Sequence, residues 1–300
     1  MNRITTIALA GAVTLLTGSA MAQANMDAVQ IKATDLGHRT WMLQGNGGNM
    51  TAIVGDDGII LVDTEYAPLH AKIKAALAQL SDQPVKYVIN THLHGDHTGG
   101  NQAFWLDGVP IVAQENLKSD MAAGTTNALT GAKTPPAPAA YLPTMTYKDS
   151  TTVKVKGRTV QVMHMPTSHT NGDSAVWIAD ANVVATGDIV STGMRYPNVD
   201  IGDKGDIDGI IKSVDTYLAR ANAKTKFVPG HGELMTKAQL ADYRKLLGDA
   251  RAAVKALKVA GKNEDEAVAA KPLAGDIQGR AGANDMASVN FVRLIYRSVS

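Results

Sequence analysis

Apolar and polar positions alternate along this chain in two distinct rhythms. From residue 29 to 63 the apolar positions come in short β-prone runs, at 29–32, 40–43, 50–54 and 58–62, each separated by turn residues. Asp56-Asp57-Gly58 between the last two runs is a hairpin signal. Leu69, Ile73, Leu77 and Leu80 then recur at helical spacing behind Pro68, which predicts a helix opened by that proline. Strands are predicted again at 85–89 and 109–112, the second leading into a helix over 114–121.

The pattern breaks at 124–143, where Thr, Gly, Ala and Pro dominate around Pro135-Pro136-Ala137-Pro138, the mark of a linker or a surface loop. Strand-like runs resume at 152–155 and 159–163 around a turn at Gly157, then at 174–178 and 182–185. An amphipathic stripe of Ile207, Ile210, Ile211, Val214, Tyr217 and Leu218 predicts a helix from about Asp206. A short strand at 226–228 follows. Thr236 with Gln239 forms a capping box for a long helix through Leu240, Tyr243, Leu247, Ala250 and Val254, and a last helix is predicted over 284–296. Strands then helices, twice over, give an α/β fold. Two sheets pack together with helices on both outer faces, as one domain of two similar halves over residues 23–300.

The N-terminus is set apart from this plan. Arg3 precedes an apolar run to about Thr17, and Ala20-Met21-Ala22 makes a small-residue cleavage pattern, so residues 1–22 read as a secretory signal peptide. The run is shorter than the roughly 20 residues a membrane span needs. The mature chain is therefore expected to be periplasmic or secreted, with no membrane span. Lys plus Arg number 29 against 28 acidic residues, a net charge of +1 with no basic block, which argues against a nucleic-acid partner. With no cysteine, disulfides, thiolate metal sites and a cysteine nucleophile are excluded. Oligomeric state is not legible in the sequence.

Of the eight histidines, three fall in His92-Leu93-His94-Gly95-Asp96-His97, directly after a predicted strand. In an extended segment residues i and i+2 share a side, so His92 and His94 can address one metal ion. A sharp turn at Gly95 then aims Asp96 and His97 at a second point. Imidazole and carboxylate donors in this density suit a borderline cation such as zinc.

This motif resembles that of the metallo-β-lactamase superfamily, and the resemblance extends over nearly all of the mature chain. Pro166 to Asp173, Ala185-Thr186-Gly187-Asp188 and Val228-Pro229-Gly230-His231-Gly232 resemble the family's later motifs, in order. The resemblance implies a four-layer αβ/βα sandwich and two Zn2+ ions. His92, His94 and His169 would hold the first, Asp96, His97 and His231 the second, with Asp188 between. Asp63 resembles a position that supports the metal loop from behind. The implied chemistry is attack of a metal-bound hydroxide on a carbonyl of a small-molecule substrate (ester, lactone, thioester or lactam), with Asp96 as the catalytic carboxylate that orients the nucleophile.

The substrate is less legible. The cysteine-containing β-lactamases carry Cys where this chain has Asp188, and Lys three residues on, where it has Ser191. A periplasmic class B-type β-lactamase is the alternative, and export favours it. Gly45 to Met50 and Thr186-Gly187-Asp188 are also similar to exported zinc hydrolases associated with quinoprotein oxidation. A mononuclear iron dioxygenase and an inactive metal-binding accessory protein are further readings. Expected pocket walls are residues 41–49, 124–143 and 191–202, with Met42, Trp105, Tyr141, Met194 and Tyr196 as apolar contacts and Arg195 as an anion contact. His38 and His70 are expected to be exposed, and His164 to be structural or a support to the site.

Overall fold

The first sheet draws its seven strands from residues 32–147, in the spatial order Lys32–Gly37, Thr40–Gln44, Met50–Val54, Ile59–Val62, Val85–Ile89, Ile111–Gln114 and Met145–Tyr147. The first four pair antiparallel through hairpins. From Ile59–Val62 onward neighbours are parallel, because helical crossovers return the chain to the same edge. The computed structural model describes residues 26–192, 196–273 and 286–300, so the expected leader at 1–22 lies outside the described residues.

A second sheet of six strands runs Ser150–Val155, Arg158–His164, Ser174–Ile178, Val183–Ala185, Lys226–Val228 and Met235–Thr236. It is antiparallel except between Val183–Ala185 and Lys226–Val228, which the helix Ile207–Arg220 connects. The segment 124–143 forms a two-residue hairpin and a single 3-10 turn, mostly exposed, just before the last strand of the first sheet.

Alternation along the strands sorts side chains into layers. Ile60 and Val62 face the second sheet, packing with Val153, Val160, Val162, Val176 and Ile178. Ile59 and Leu61 face the other way, onto Leu69, Ile73, Leu77 and Phe104 of the helices outside the first sheet. Outside the second sheet, Val184 and Phe227 meet Ile210, Val214 and Tyr217, then Tyr243, Leu247 and Phe291. Helix, sheet, sheet, helix is the four-layer αβ/βα order. Because both faces of the central strands are covered, Met50–Val54 is buried at every position.

Most predicted elements lie within a few residues of those observed. The helix Lys237–Val259 starts with the expected capping box, the side chain of Thr236 and that of Gln239 each accepting from the other's backbone N–H. The helix Met286–Ser298 corresponds to the one predicted over 284–296, whose first two residues lie outside the described residues. The strand expected at 29–32 is different: pairing starts at Lys32. Val29 and Ile31 instead pack into the helix-side core. The Lys72 ammonium donates to the Val29 carbonyl, taking an acceptor that a strand ladder would have used. Among the described residues no helix is long and apolar enough to cross a membrane.

Candidate metal centre

The histidine motif sits where the strand Val85–Ile89 leaves the sheet. His94 has an extended backbone and caps a single helical turn, Gly95–Thr98, so the chain direction changes between His94 and Asp96. Gly95 itself has helical geometry and open space where a Cβ would stand, so the turn is a helix start and needs no glycine. Behind the motif, Asp63 accepts hydrogen bonds from Thr91 N (2.8 Å), Thr91 Oγ1 (2.7 Å) and His97 Nδ1 (2.8 Å). Asp63 thus lies behind the loop that carries the motif. It fixes the proton on His97 Nδ1 and leaves Nε2 facing the cluster.

The second sheet supplies the remaining groups from three loops at its edge. His169 follows Arg158–His164, in a loop tied by Asp173, which accepts from Thr170 N (2.9 Å) and Thr170 Oγ1 (2.6 Å). His164 Nε2 lies 3.1 Å from the Asn171 carbonyl and so braces the same loop. Asp188 lies in the turn Gly187–Ile189, where Gly187 has φ +53°. Pro229-Gly230 delivers His231, with Gly230 N donating to the carbonyls of Gly187 and Val190. A Cβ on Gly230 would lie 1.9 Å from Asp188 Oδ1, so the close approach of these loops requires glycine there.

All seven side chains converge. The donor atoms of His92, His94, His169 and Asp188 lie within 4.8 Å of one another, and so do those of Asp96, His97 and His231. Asp188 stands between the groups. Its Oδ2 is 3.9 Å from His92 Nε2, 3.6 Å from His169 Nε2 and 3.4 Å from His231 Nε2, while Oδ1 is 3.3 Å from His97 Nε2. Asp96 Oδ2 is 3.1 Å from His231 Nε2. His92 Nε2 and Asp188 Oδ1 are buried with no hydrogen bond. Buried polar atoms without partners are costly in a folded chain, and a cation among them supplies the missing interaction. This donor set therefore fits metal ions.

Charge follows the same geometry. Burial drives the His92 pKa well below its ordinary range and lowers that of His169 to about 4, so both rings are neutral donors. Burial also opposes charge on His97 and His231. Asp188 and Asp63 outweigh it at His97 and hold that pKa well above the ordinary value, while Asp188 and Asp96 raise His231 to about 9. Asp188 pays desolvation too, yet the surrounding imidazoles keep its carboxyl well below the usual range.

Two of the segments expected to rim the site, 41–49 and 191–202, reach it. The loop 45–49 lies against it: Gly48 N donates to the Asp96 carbonyl (3.1 Å), and Glu65 accepts from Gly47 N (2.8 Å). Asp200 Oδ2 lies 2.8 Å from His94 Nε2, and Asp203 Oδ2 is 4.0 Å from the same nitrogen. Of the expected apolar contacts, Met42 is fully buried between the sheets, which removes it from any pocket wall. Tyr196 stacks on Phe291, Tyr141 packs beside Leu93 and Leu117, and Trp105 is exposed. Met194 and Arg195 lie outside the described residues. His70 is not exposed as expected: its ring packs on Phe104 and bonds Asp107.

Comparison with known proteins agrees with this picture. Residues 43–231 match the profile of the family described as "Metallo-beta-lactamase superfamily". A linear primary-alkylsulfatase of Pseudomonas sp. is 29% identical over 186 residues, 49% of this chain and 34% of the sulfatase, so the chain spans about a third of that relative's length. Among solved structures, a metallo-beta-lactamase from Pontibacter korlensis has a TM-score of 0.59 at 19% identity, covering 73% of this chain and 100% of its own. The stereoselective inverting sec-alkylsulfatase from Pseudomonas sp. has a TM-score of 0.65 at 17% identity, covering 89% of this chain and 50% of its own. These structural likenesses concern the fold. With its profile match spanning well over half of the sequence, the chain belongs to the metallo-beta-lactamase superfamily.

Proposed function

We propose that this protein is an exported hydrolase that holds two zinc ions and, by attack at a carbonyl carbon, cleaves its bond to the leaving O, S or N atom (ester, lactone, thioester or lactam) in a small molecule. The observation that carries the reading is the position of Asp188, whose two oxygens lie 3.3–3.9 Å from histidine nitrogens of both ligand groups. His92, His94 and His169 would hold one ion, Asp96, His97 and His231 the other, and Asp188 both. Bound zinc supplies a water whose pKa is lowered to about 7 and a Lewis acid for the substrate oxygen. Imidazole and carboxylate donors without thiolate suit zinc among the available cations.

The chain's own residues set the direction of approach. His92, His97, His169 and Asp188 are sealed, whereas the side chains of His94, Asp96 and His231 are 24%, 21% and 15% exposed. The substrate therefore meets the site over those three. Asp96, whose side chain reaches that open face, would orient the attacking water, take its proton and deliver it to the leaving group. No serine or cysteine nucleophile is needed.

Ser191 is buried, at 3% exposure, and cannot grip a drug carboxylate, which sets β-lactams behind the other carbonyl substrates. Sulfate esters are a second reading, favoured by the alkylsulfatases found both in sequence and in structure. The test is metal analysis with a panel of cephalosporin, carbapenem, glutathione thioester, lactone, alkyl sulfate and phosphodiester. Near two zinc per chain with turnover of a carbonyl substrate is expected, and one iron per chain without hydrolysis would overturn the reading. His94→Ala and Asp188→Ala are each expected to lower activity about 100-fold or more and to lose bound metal. Full turnover by His94→Ala would contradict the ligand assignment. Export predicts that protein recovered from the periplasm starts near Gln23, read by N-terminal sequencing.

A further inference from the structure

Two histidines of the first ligand group, the sealed His169 and the partly exposed His94, are held from outside by one short stretch, residues 198–200. His169 Nδ1 lies 2.9 Å from the Asn198 carbonyl, and His94 Nε2 lies 2.8 Å from Asp200 Oδ2. The remaining nitrogens, His169 Nε2 and His94 Nδ1, face each other at 2.9 Å inside the cluster. We propose that Asp200 is the positioning residue for His94: its carboxylate holds the ring proton on Nε2 and so turns the Nδ1 lone pair toward the metal.

A neutral imidazole has one N–H and one lone pair, and an ionised carboxylate only accepts. With a carboxylate oxygen against Nε2, that nitrogen must donate. Asp203 adds to this, since its Oδ2, buried and without a hydrogen bond, lies 4.0 Å from the same nitrogen. Both acidic side chains are thus on the Nε2 side of the ring. His97 shows the mirror arrangement, with Asp63 against Nδ1 and Nε2 left for the site. Each group therefore has one histidine whose free nitrogen is chosen by an aspartate.

The carboxylate of Asp200 is itself fixed. Its Oδ1 accepts from Gly202 N (3.1 Å), its backbone N donates to the His169 carbonyl (3.0 Å), and its carbonyl accepts from Gly205 N (2.6 Å). The stretch is also packed from beyond, because a Cβ on Gly202 would lie 1.9 Å from the Thr126 carbonyl oxygen. Asp200 is thus a rigid acceptor, and the ring of His94 must adapt to it.

The inference rests on the reading of this cluster as a metal centre, but its first readout needs no metal and no substrate. In metal-free protein with 15N-labelled imidazoles, at a pH where His94 is neutral, two-bond 1H–15N correlations report which nitrogen carries the proton. The His94 signals are identified by their loss in His94→Ala. The expected result is the Nε2–H form, and an Nδ1–H form overturns the proposal. Asp200→Asn is the second arm. Its amide oxygen keeps the bond from Gly202 N, so its NH2 faces His94 Nε2 and forces the proton onto Nδ1. The tautomer should switch, and affinity for one zinc should fall about 10- to 100-fold, with the other changed less than about threefold, by chelator competition. An unchanged tautomer and unchanged affinity in a folded Asp200→Asn overturns the proposal; if that variant does not fold, the wild-type tautomer decides alone. Inactivity of the wild-type protein on every substrate would overturn the proposed reaction and leave these measurements intact.

Discussion

Gly48 has no side chain because the ring of His97 occupies the space one would take. A Cβ there would lie 2.1 Å from His97 Cε1 and 2.3 Å from Nε2. The ring cannot yield, being fully buried and bonded to Asp63. Gly48→Ala must therefore displace either the loop 45–49 or a metal-facing nitrogen. It should cost about 1–3 kcal/mol in thermal unfolding and lower zinc affinity about tenfold or more. Gly95→Ala is the contrasting variant, since a Cβ there meets nothing within 4 Å and the backbone is helical. Its stability should match or exceed the parent's by up to about 1 kcal/mol. The seven converging side chains were legible in the sequence because they lie in motifs next to strand ends that resemble those of the family. The segments of Gly48 and Asp200 were expected to rim the site, but their particular contacts were not legible, since nothing near them in sequence shows that the fold presses them against His97 and His94. Asp200 and His94 stand 106 residues apart.

The helix Lys237–Val259 shows how an element outside the second sheet reaches into the site. Its Tyr243 hydroxyl, buried, donates to the Ile189 carbonyl at 3.1 Å, in the same turn that carries Asp188. Tyr243→Phe preserves the packing but leaves that carbonyl without its partner, which should lower stability by about 1–2 kcal/mol. A chemical-denaturation curve of the zinc-free protein reads this directly, and an unchanged midpoint would mean that the bond contributes nothing. At this scale the sequence was most legible where local and long-range demands agree. Thr236 with Gln239 starts this helix as its own residues require, and Met50–Val54 is apolar throughout because both faces are covered. It was least legible where a distant residue overrules a local preference. Residues 29–32 look like a strand, yet the Lys72 ammonium takes the Val29 carbonyl and pairing starts only at Lys32. The short helices Gly95–Thr98 and Asn101–Leu106 have too few turns to print a period.

Across the whole molecule the site joins the two halves: His92 to His97 come from the first sheet's edge, and His169, Asp188 and His231 from the second's. The stability of the metal-free protein must therefore carry the titration of this seam. His231 rises from its ordinary 6.5 to about 9 through its contacts with Asp188 and Asp96, against the cost of burial, and His97 moves in the same direction. A raised histidine contributes stability that is complete below about pH 6.5 and is lost as pH climbs through about 9. Asp173 and Asp203, pushed by burial to about 7, act in the same sense but finish near neutrality. The depressed carboxylates, Asp188 and Asp96, contribute above about pH 3.8 and lose that contribution only in acid, so they do not offset the alkaline fall. Held as proposed, zinc would require His97 and His231 as neutral donors, so that binding would release their protons and remove this dependence. In chelator, the unfolding free energy should drop by on the order of 1–3 kcal/mol between pH 6.5 and 9, while zinc-loaded protein should stay level or gain over the same range. Parallel slopes in the two series would mean that His231 does not face Asp188 and Asp96 as the fold places it.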